Sequence, residues 1–80
     1  MTFDDLIFKP ALSGLQAVAF FENGYGASVI TTRDYMYELA VLEGASDDWN
    51  LCYSTEITSD VIPYQSEGEV TTLLQRIEAL

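Results

Sequence analysis

The stretch FENGYGASVITTRDYMYELAVL, residues 21–42, decides the fold of this chain. Its dipeptide Asn23-Gly24 separates two runs rich in β-branched and aromatic residues, LQAVAFFE and YGASVITT. Asn and Gly tolerate the positive φ angles of a type I′ turn best, so the dipeptide predicts a hairpin with a two-residue loop. In that register, Phe20 lies opposite Ala27.

A third strand, Tyr35–Leu42, is predicted after a short turn at Arg33-Asp34, and side chains that alternate along each strand then define two faces. One face is expected to hold Ala17, Ala19, Phe21, Ser28, Ile30, Tyr37, Leu39 and Val41. The other is expected to hold Val18, Phe20, Val29, Met36, Glu38 and Ala40. Glu38 in mid-strand marks the second face as the wetter one.

The remaining segments complete a single small domain, residues 1–80, of the α+β class. A polar loop, Glu43–Asp48, is followed by a fourth predicted strand, Trp49–Thr55, so that residues 15–55 form an antiparallel β-meander. Residues 1–14 are predicted to be an extended segment and a loop. Residues 56–65 are predicted to be a connection, because Pro63 cannot donate a ladder hydrogen bond.

A C-terminal amphipathic helix is predicted over residues 66–80. Ser66 and Glu69 have the spacing of a capping box, in which each side chain accepts a hydrogen bond from the other residue's amide. The apolar positions recur at helical spacing: Val70, Leu73, Leu74, Ile77 and Leu80. A helix this short requires tertiary packing, so we expect this stripe to lie on the sheet.

The helix is expected on the first face, where alanines allow close approach. The second face would then show Val18, Phe20, Val29 and Met36, and monomers seldom leave such a patch bare. The N-terminal segment 6–8 is one candidate to cover it, and another molecule is the second. A homodimer through these four residues is therefore one hypothesis.

Charge limits the classes of partner. Thirteen acidic residues against three basic ones give a formal net charge of −10, which repels nucleic acid and anionic membranes. The same charge steers a protein towards basic surfaces, although it also serves solubility. No nucleic acid and no membrane is therefore expected among the partners.

Enzymatic chemistry has little support in the composition. The chain contains no histidine, which is the commonest general base near neutral pH and the commonest metal ligand. Its one cysteine, Cys52, lies in an apolar run and is expected to be buried. The acidic start, MTFDDLIFKP, does not resemble a signal peptide. The sequence predicts a cytoplasmic, non-enzymatic protein without cofactor or metal.

Several segments together resemble a family of short proteins encoded by bacteriophages and prophages. They are FENGYGASV, YELAVL, WNLCY and ITSDV, followed by the acidic-capped terminal helix. The family has no assigned activity and no catalytic residues to carry over. The resemblance implies an accessory protein that acts inside an infected bacterium, a class that often blocks nucleic-acid-binding or defence proteins of the host.

Charge and resemblance lead to one main hypothesis, that the protein binds a basic protein surface of the host. Acids on turns and on the second face would supply charge complementarity, and flanking tyrosines the buried contacts. The candidate partner-binding residues are Asp34, Glu38, Glu43, Asp47, Asp48, Tyr25 and Tyr35.

Overall fold

The computed structural model describes residues 1–11 and 14–80. A short 3-10 helix, Phe3–Asp5, precedes six strands and one α-helix. The strands are β1 (Lys9–Ala11), β2 (Gly14–Phe20), β3 (Tyr25–Thr31), β4 (Tyr37–Ala45), β5 (Asp48–Leu51) and β6 (Ile62–Gln65), and the helix is α1 (Glu67–Glu78). This confirms the predicted α+β class, an antiparallel sheet with one C-terminal helix.

All strand pairs are antiparallel, and the order is β1-β2-β3-β4-β5. Strand β6 also pairs with β4, along the part of β4 that lies before its pairing with β5. The two strands beyond the predicted four are β1 and β6. Both contain a proline, Pro10 and Pro63, which an edge strand tolerates because its N–H groups on one side need no ladder partner.

The first hairpin differs from the prediction by one residue. Its loop has three residues, because the Phe21 amide donates to the Tyr25 carbonyl oxygen at 2.8 Å and the Gly24 amide donates to the Phe21 carbonyl oxygen at 3.3 Å. Gly24 has φ 86° and Asn23 does not have positive φ, which is the pattern of a type I turn followed by a bulge glycine.

This one-residue shift exchanges the two faces of β3. Phe20 lies opposite Gly26, and Ala17 lies opposite Val29. Val29 therefore belongs to the face under the helix, and Ile30 to the other, the reverse of the prediction for both. Strand β4 follows the corrected register, with Val29 opposite Leu39.

The face under α1, here called the covered face, holds the core. Val70, Leu74 and Ile77 of the helix have no exposed surface. They pack in one cluster with sheet residues that are also fully buried, Ala27, Val29, Leu39 and Val41. The predicted capping box is present: the Glu69 amide donates to Ser66 Oγ at 3.2 Å, and the Ser66 amide donates to Glu69 Oε1 at 3.0 Å.

The N-terminal segment packs on the helix side of the sheet. The Phe3 amide donates to Thr71 Oγ1 at 2.9 Å, and the rings of Phe3 and Phe8 contact Tyr37 with centroids 4.8 and 5.9 Å away. Leu6 joins the same core, whereas Ile7 points away and is 74% exposed. Residues 6–8 therefore leave most of the second face uncovered: Leu6 and Phe8 pack on the first face, and Ile7 lines a cleft with Gln16 and Val18 of the second.

Candidate interaction surface

The side of the sheet that faces away from α1, here called the open face, has no helix over it. The ladder places on it Lys9, Gln16, Val18, Phe20, Ser28, Ile30, Glu38, Ala40, Leu42, Trp49 and Leu51. Val18, Trp49 and Leu51 remain 39%, 38% and 48% exposed. Apolar side chains from two strands, β2 and β5, thus meet water on one surface.

An aromatic pair lies on the open face at the end of the sheet nearest the first hairpin loop. Phe20 lies opposite Gly26, and a Cβ atom on Gly26 would come within 3.0 Å of the Phe20 ring. The ring centroids of Phe20 and Trp49 are 6.4 Å apart at 48°. Leu42, which pairs with Gly26 on one side and Leu51 on the other, is fully buried. The missing side chain at Gly26 therefore lets an aromatic ring lie across the sheet and shield a leucine that no helix covers.

The polar groups on the open face are already satisfied. Gln16 Nε2 donates to Ser28 Oγ at 2.8 Å, and Ser28 is the one buried polar residue in the described part of the chain. No buried side-chain nitrogen or oxygen within residues 1–11 and 14–80 lacks a hydrogen-bond partner. The surface therefore offers apolar contact, the Glu38 carboxylate and the Lys9 ammonium group, with no buried polar group aimed at a small ligand.

The seven predicted partner-binding residues do not form one cluster. Tyr25, Glu43, Asp47 and Asp48 lie at one end of the sheet, here called the Asn23 end, where the β2–β3 and β4–β5 turns meet. Asp34 and Tyr35 lie in the β3–β4 turn at the opposite end, here called the Tyr35 end, with Glu38 nearby on the open face. Strand β3 separates the two ends by about 20 Å.

Exposure further divides the predicted residues. The five acids are exposed or half-buried, and Tyr35 is 95% exposed. Tyr25 instead packs against the core cluster, and its amide donates to Asn23 Oδ1 at 3.0 Å. Its ring is therefore partly used by the fold itself.

The four predicted dimer-face residues are also divided. Val18 and Phe20 lie on the open face as expected. Val29 is fully buried under α1, so its assignment to an exposed face is wrong, for the reason of register given above. Met36 is half-buried and closes the β3–β4 turn, where its carbonyl oxygen accepts from the Thr32 amide at 3.0 Å.

Sequence reasoning missed two residues of the open face, Trp49 and Leu51. Their place follows from the pairing Gly44–Trp49 and Leu42–Leu51, which depends on a tight turn at Ser46-Asp47. Gly44 was the sequence signal for this tight turn. Its φ is 120°, and a Cβ atom there would lie 2.3 Å from the Asp48 carbonyl oxygen, so the close approach of the two strands requires glycine.

The negative charge has little internal compensation. Among the described residues the one ion pair joins the Met1 amino group to the Glu78 carboxylate. The acids at both ends of the sheet are therefore available to outside cations. Near the Tyr35 end, burial and, secondarily, the negative charge of Glu67 raise the pKa of the Tyr37 hydroxyl.

No reactive constellation was found in the part of the chain that the structure describes. It contains no group of three metal-ligating side chains. Cys52 is buried as predicted, with Sγ 3.5 Å from Ser54 Oγ. The search for membrane spans, over the described residues, found no helix with the length and hydropathy that crossing a bilayer requires.

Comparisons with protein-family models, with curated proteins and with solved structures found no match to this chain.

Proposed function

We propose that this protein is a non-enzymatic accessory protein that binds a basic protein surface through its open face. The observation that carries the proposal is the uncovered sheet surface around Phe20 and Trp49, where Val18 and Leu51 stay half-exposed. Apolar patches of this kind, rimmed by polar groups, are typical of protein-binding sites. The phage-family resemblance supports a host nucleic-acid-binding or defence protein as the target.

Unpaired acids decide what kind of partner fits. Glu38 lies on the open face, and Asp47 lies in the β4–β5 turn at the Asn23 end, neither of them in an ion pair. A basic partner would be attracted from a distance and held in register by these carboxylates, while the aromatic pair supplies desolvated contact. Association should therefore be fast at low salt and should weaken as salt is added.

Capture from bacterial lysate, followed by measurement of the dissociation constant for each purified captured protein, tests the proposal. The double variant Glu38→Gln/Asp47→Asn is expected to weaken binding and to flatten its salt dependence. A matched control, Asp4→Asn/Glu56→Gln, removes the same two charges from exposed acids outside the open face. Equal weakening by the two variants would reduce the effect to net charge, and affinity that is insensitive to salt would contradict the proposal.

A homodimer through the same face is the second candidate, favoured by the exposed Val18 and Leu51 on neighbouring parts of one surface. Two copies of net charge −10 repel each other, so added salt should strengthen this dimer. Sedimentation velocity at low and high salt separates the candidates. A dimer fraction that increases with salt supports self-association. A monomer at both salt concentrations leaves the open face available to another protein.

A further inference from the structure

Tyr35 and Tyr64 share an unusual backbone conformation. They are the non-glycine residues with positive φ in residues 1–11 and 14–80, at 57° and 58°. Tyr35 ends the three-residue loop of the second hairpin, the position that Gly24 occupies in the first. Left-handed backbone is strained for a side chain as large as tyrosine and is usually left to glycine or asparagine.

Packing within the chain does not explain the choice of tyrosine. The side chain of Tyr35 is 95% exposed and that of Tyr64 is 76% exposed, so neither ring gains much burial from the fold. Glycine would remove the strain at both positions without loss of core contacts. Strained residues that the fold does not need are concentrated at functional sites.

The sheet brings the two tyrosines to the same end. Gln65 pairs with Tyr37 and Ile62 pairs with Leu39, so a bulge places Pro63 and Tyr64 opposite Glu38. Tyr35 precedes Tyr37 by two residues, and Tyr64 adjoins Gln65 directly. These steps hold the two Cα atoms within about 17 Å of each other, a span that one extended peptide segment covers with five or six residues.

The charges around the pair favour a cationic partner group. Asp34 is next to Tyr35, Glu38 lies opposite Tyr64, and Glu67 adjoins the same end at the start of α1. Two basic residues lie at this end of the sheet: Arg33 precedes Asp34 in the chain, and Lys9 lies three strands from Glu38 in the same cross-strand row. A guanidinium group stacks on a tyrosine ring while it pairs with a carboxylate, and it does so better than a lysine ammonium group.

We infer that Tyr35 and Tyr64 form an arginine-binding pair, which receives an extended arginine-bearing segment of the basic partner. The inference rests on the proposed function and extends it, since it assigns specificity for arginine over lysine to the Tyr35 end. The open face supplies the apolar contact, and its acid Glu38 connects that face to the tyrosine pair.

Amide chemical-shift mapping tests the inference with two synthetic octapeptides at low salt, one alternating arginine with glycine and one alternating lysine with glycine. The largest shifts from the arginine peptide are expected at residues 33–38 and 62–67, with affinity at least about threefold above that of the lysine peptide. The variants Tyr35→Gly and Tyr64→Gly should each weaken arginine-peptide binding about tenfold. Both should also raise the urea midpoint, so loss of binding cannot be attributed to unfolding.

Matched variants sharpen the outcome. Tyr35→Phe keeps the ring and should retain binding, whereas Tyr53→Gly removes another exposed tyrosine and should leave peptide affinity unchanged. The arginine-binding pair would be overturned if the arginine peptide shifted the amides of residues 43–48 as much as those of residues 33–38 and 62–67, and if Tyr35→Gly left its affinity unchanged. That result would leave the electrostatic proposal standing. If neither peptide shifts any amide, the proposed function itself is contradicted.

Discussion

The side-chain amide of Asn23, in the first hairpin loop, donates a hydrogen bond of 2.8 Å to the carbonyl oxygen of Ile77, in the last turn of α1. The same nitrogen lies 3.2 Å from the carbonyl oxygens of Glu78 and Leu80. The last carbonyl groups of a helix have no partners within it, and a residue 54 positions away supplies one here. Asn23 thus joins the helix to the sheet and also shapes the turn.

Asn23→Asp should destabilise the protein by about 1–3 kcal/mol. The substitution keeps the turn-forming oxygen but replaces the donor with a carboxylate that faces carbonyl oxygens at the negative end of the helix dipole. Urea unfolding measures the loss in the free energy of unfolding. Asn50→Asp makes the same charge change at an exposed strand position opposite Glu43, and repulsion there should cost less than about 1 kcal/mol. Equal destabilisation by both would show that the cap does not contribute.

Gly26→Ala and Gly68→Ala should change stability in opposite directions. A Cβ atom at position 26 would lie 2.3 Å from the Ala19 carbonyl oxygen, so strand β2 and the Phe20 ring would have to move, at a cost of about 1–3 kcal/mol. A Cβ atom at position 68 meets nothing within 4 Å, and alanine is favoured there by about 0.5–1 kcal/mol because Gly68 is helical. In thermal and urea unfolding, the midpoint of Gly26→Ala should lie below that of the parent protein and the midpoint of Gly68→Ala above it.

Two leucine-to-alanine variants test which face of the sheet is the core. Leu74 is fully buried under the helix, and Leu74→Ala should remove about 2–5 kcal/mol from the free energy of unfolding. Leu51 is 48% exposed on the open face, and Leu51→Ala should remove less than about 1 kcal/mol. The smaller effect on folding matters for the proposed function, since Leu51→Ala can then be used to measure partner binding. A loss of several kcal/mol in the free energy of unfolding for Leu51→Ala would mean that Leu51 is buried and that the open face is covered.

The raised pKa of Tyr37 predicts a loss of stability at alkaline pH. Burial disfavours the phenolate first, and the charge of Glu67 adds to this. Because the folded state holds this proton more tightly, the contribution is fully present below the ordinary tyrosine pKa of about 10 and is lost as the pH rises through the folded-state pKa. Urea unfolding at about pH 8 and pH 11 measures the difference. Tyr37→Phe should reduce the difference in the free energy of unfolding between the two pH values. An unchanged difference would show that Tyr37 is not its source.

Local signals predicted the helix well because its causes are local. The Ser66–Glu69 capping box and the apolar stripe from Val70 to Ile77 lie within one short segment, and both appear in the structure as expected. The capping pair fixes where the helix begins, and the stripe fixes which side is buried.

The register of the first hairpin was not predictable from Asn23-Gly24 alone. That dipeptide suits both a two-residue loop and a three-residue loop with a bulge glycine. The three-residue loop of the structure places Asn23 in contact with the C-terminus of α1, a contact that sequence distance conceals. The error in register then misplaced Val29 and Ile30, since a face is defined by alternation from one starting point. Trp49 and Leu51 were missed for a different reason, because their place depends on the separate turn at Ser46-Asp47.

The strands at the two edges of the sheet are short. Strand β1 has three residues and β5 and β6 have four each, and two of these three strands contain proline. Such strands offer few free backbone groups for another chain to extend the sheet, which protects a small hydrophobic protein against edge-to-edge polymerisation. Recruitment of a second molecule would therefore fall mainly to side chains, a mode that mutation retunes readily while the backbone scaffold stays the same.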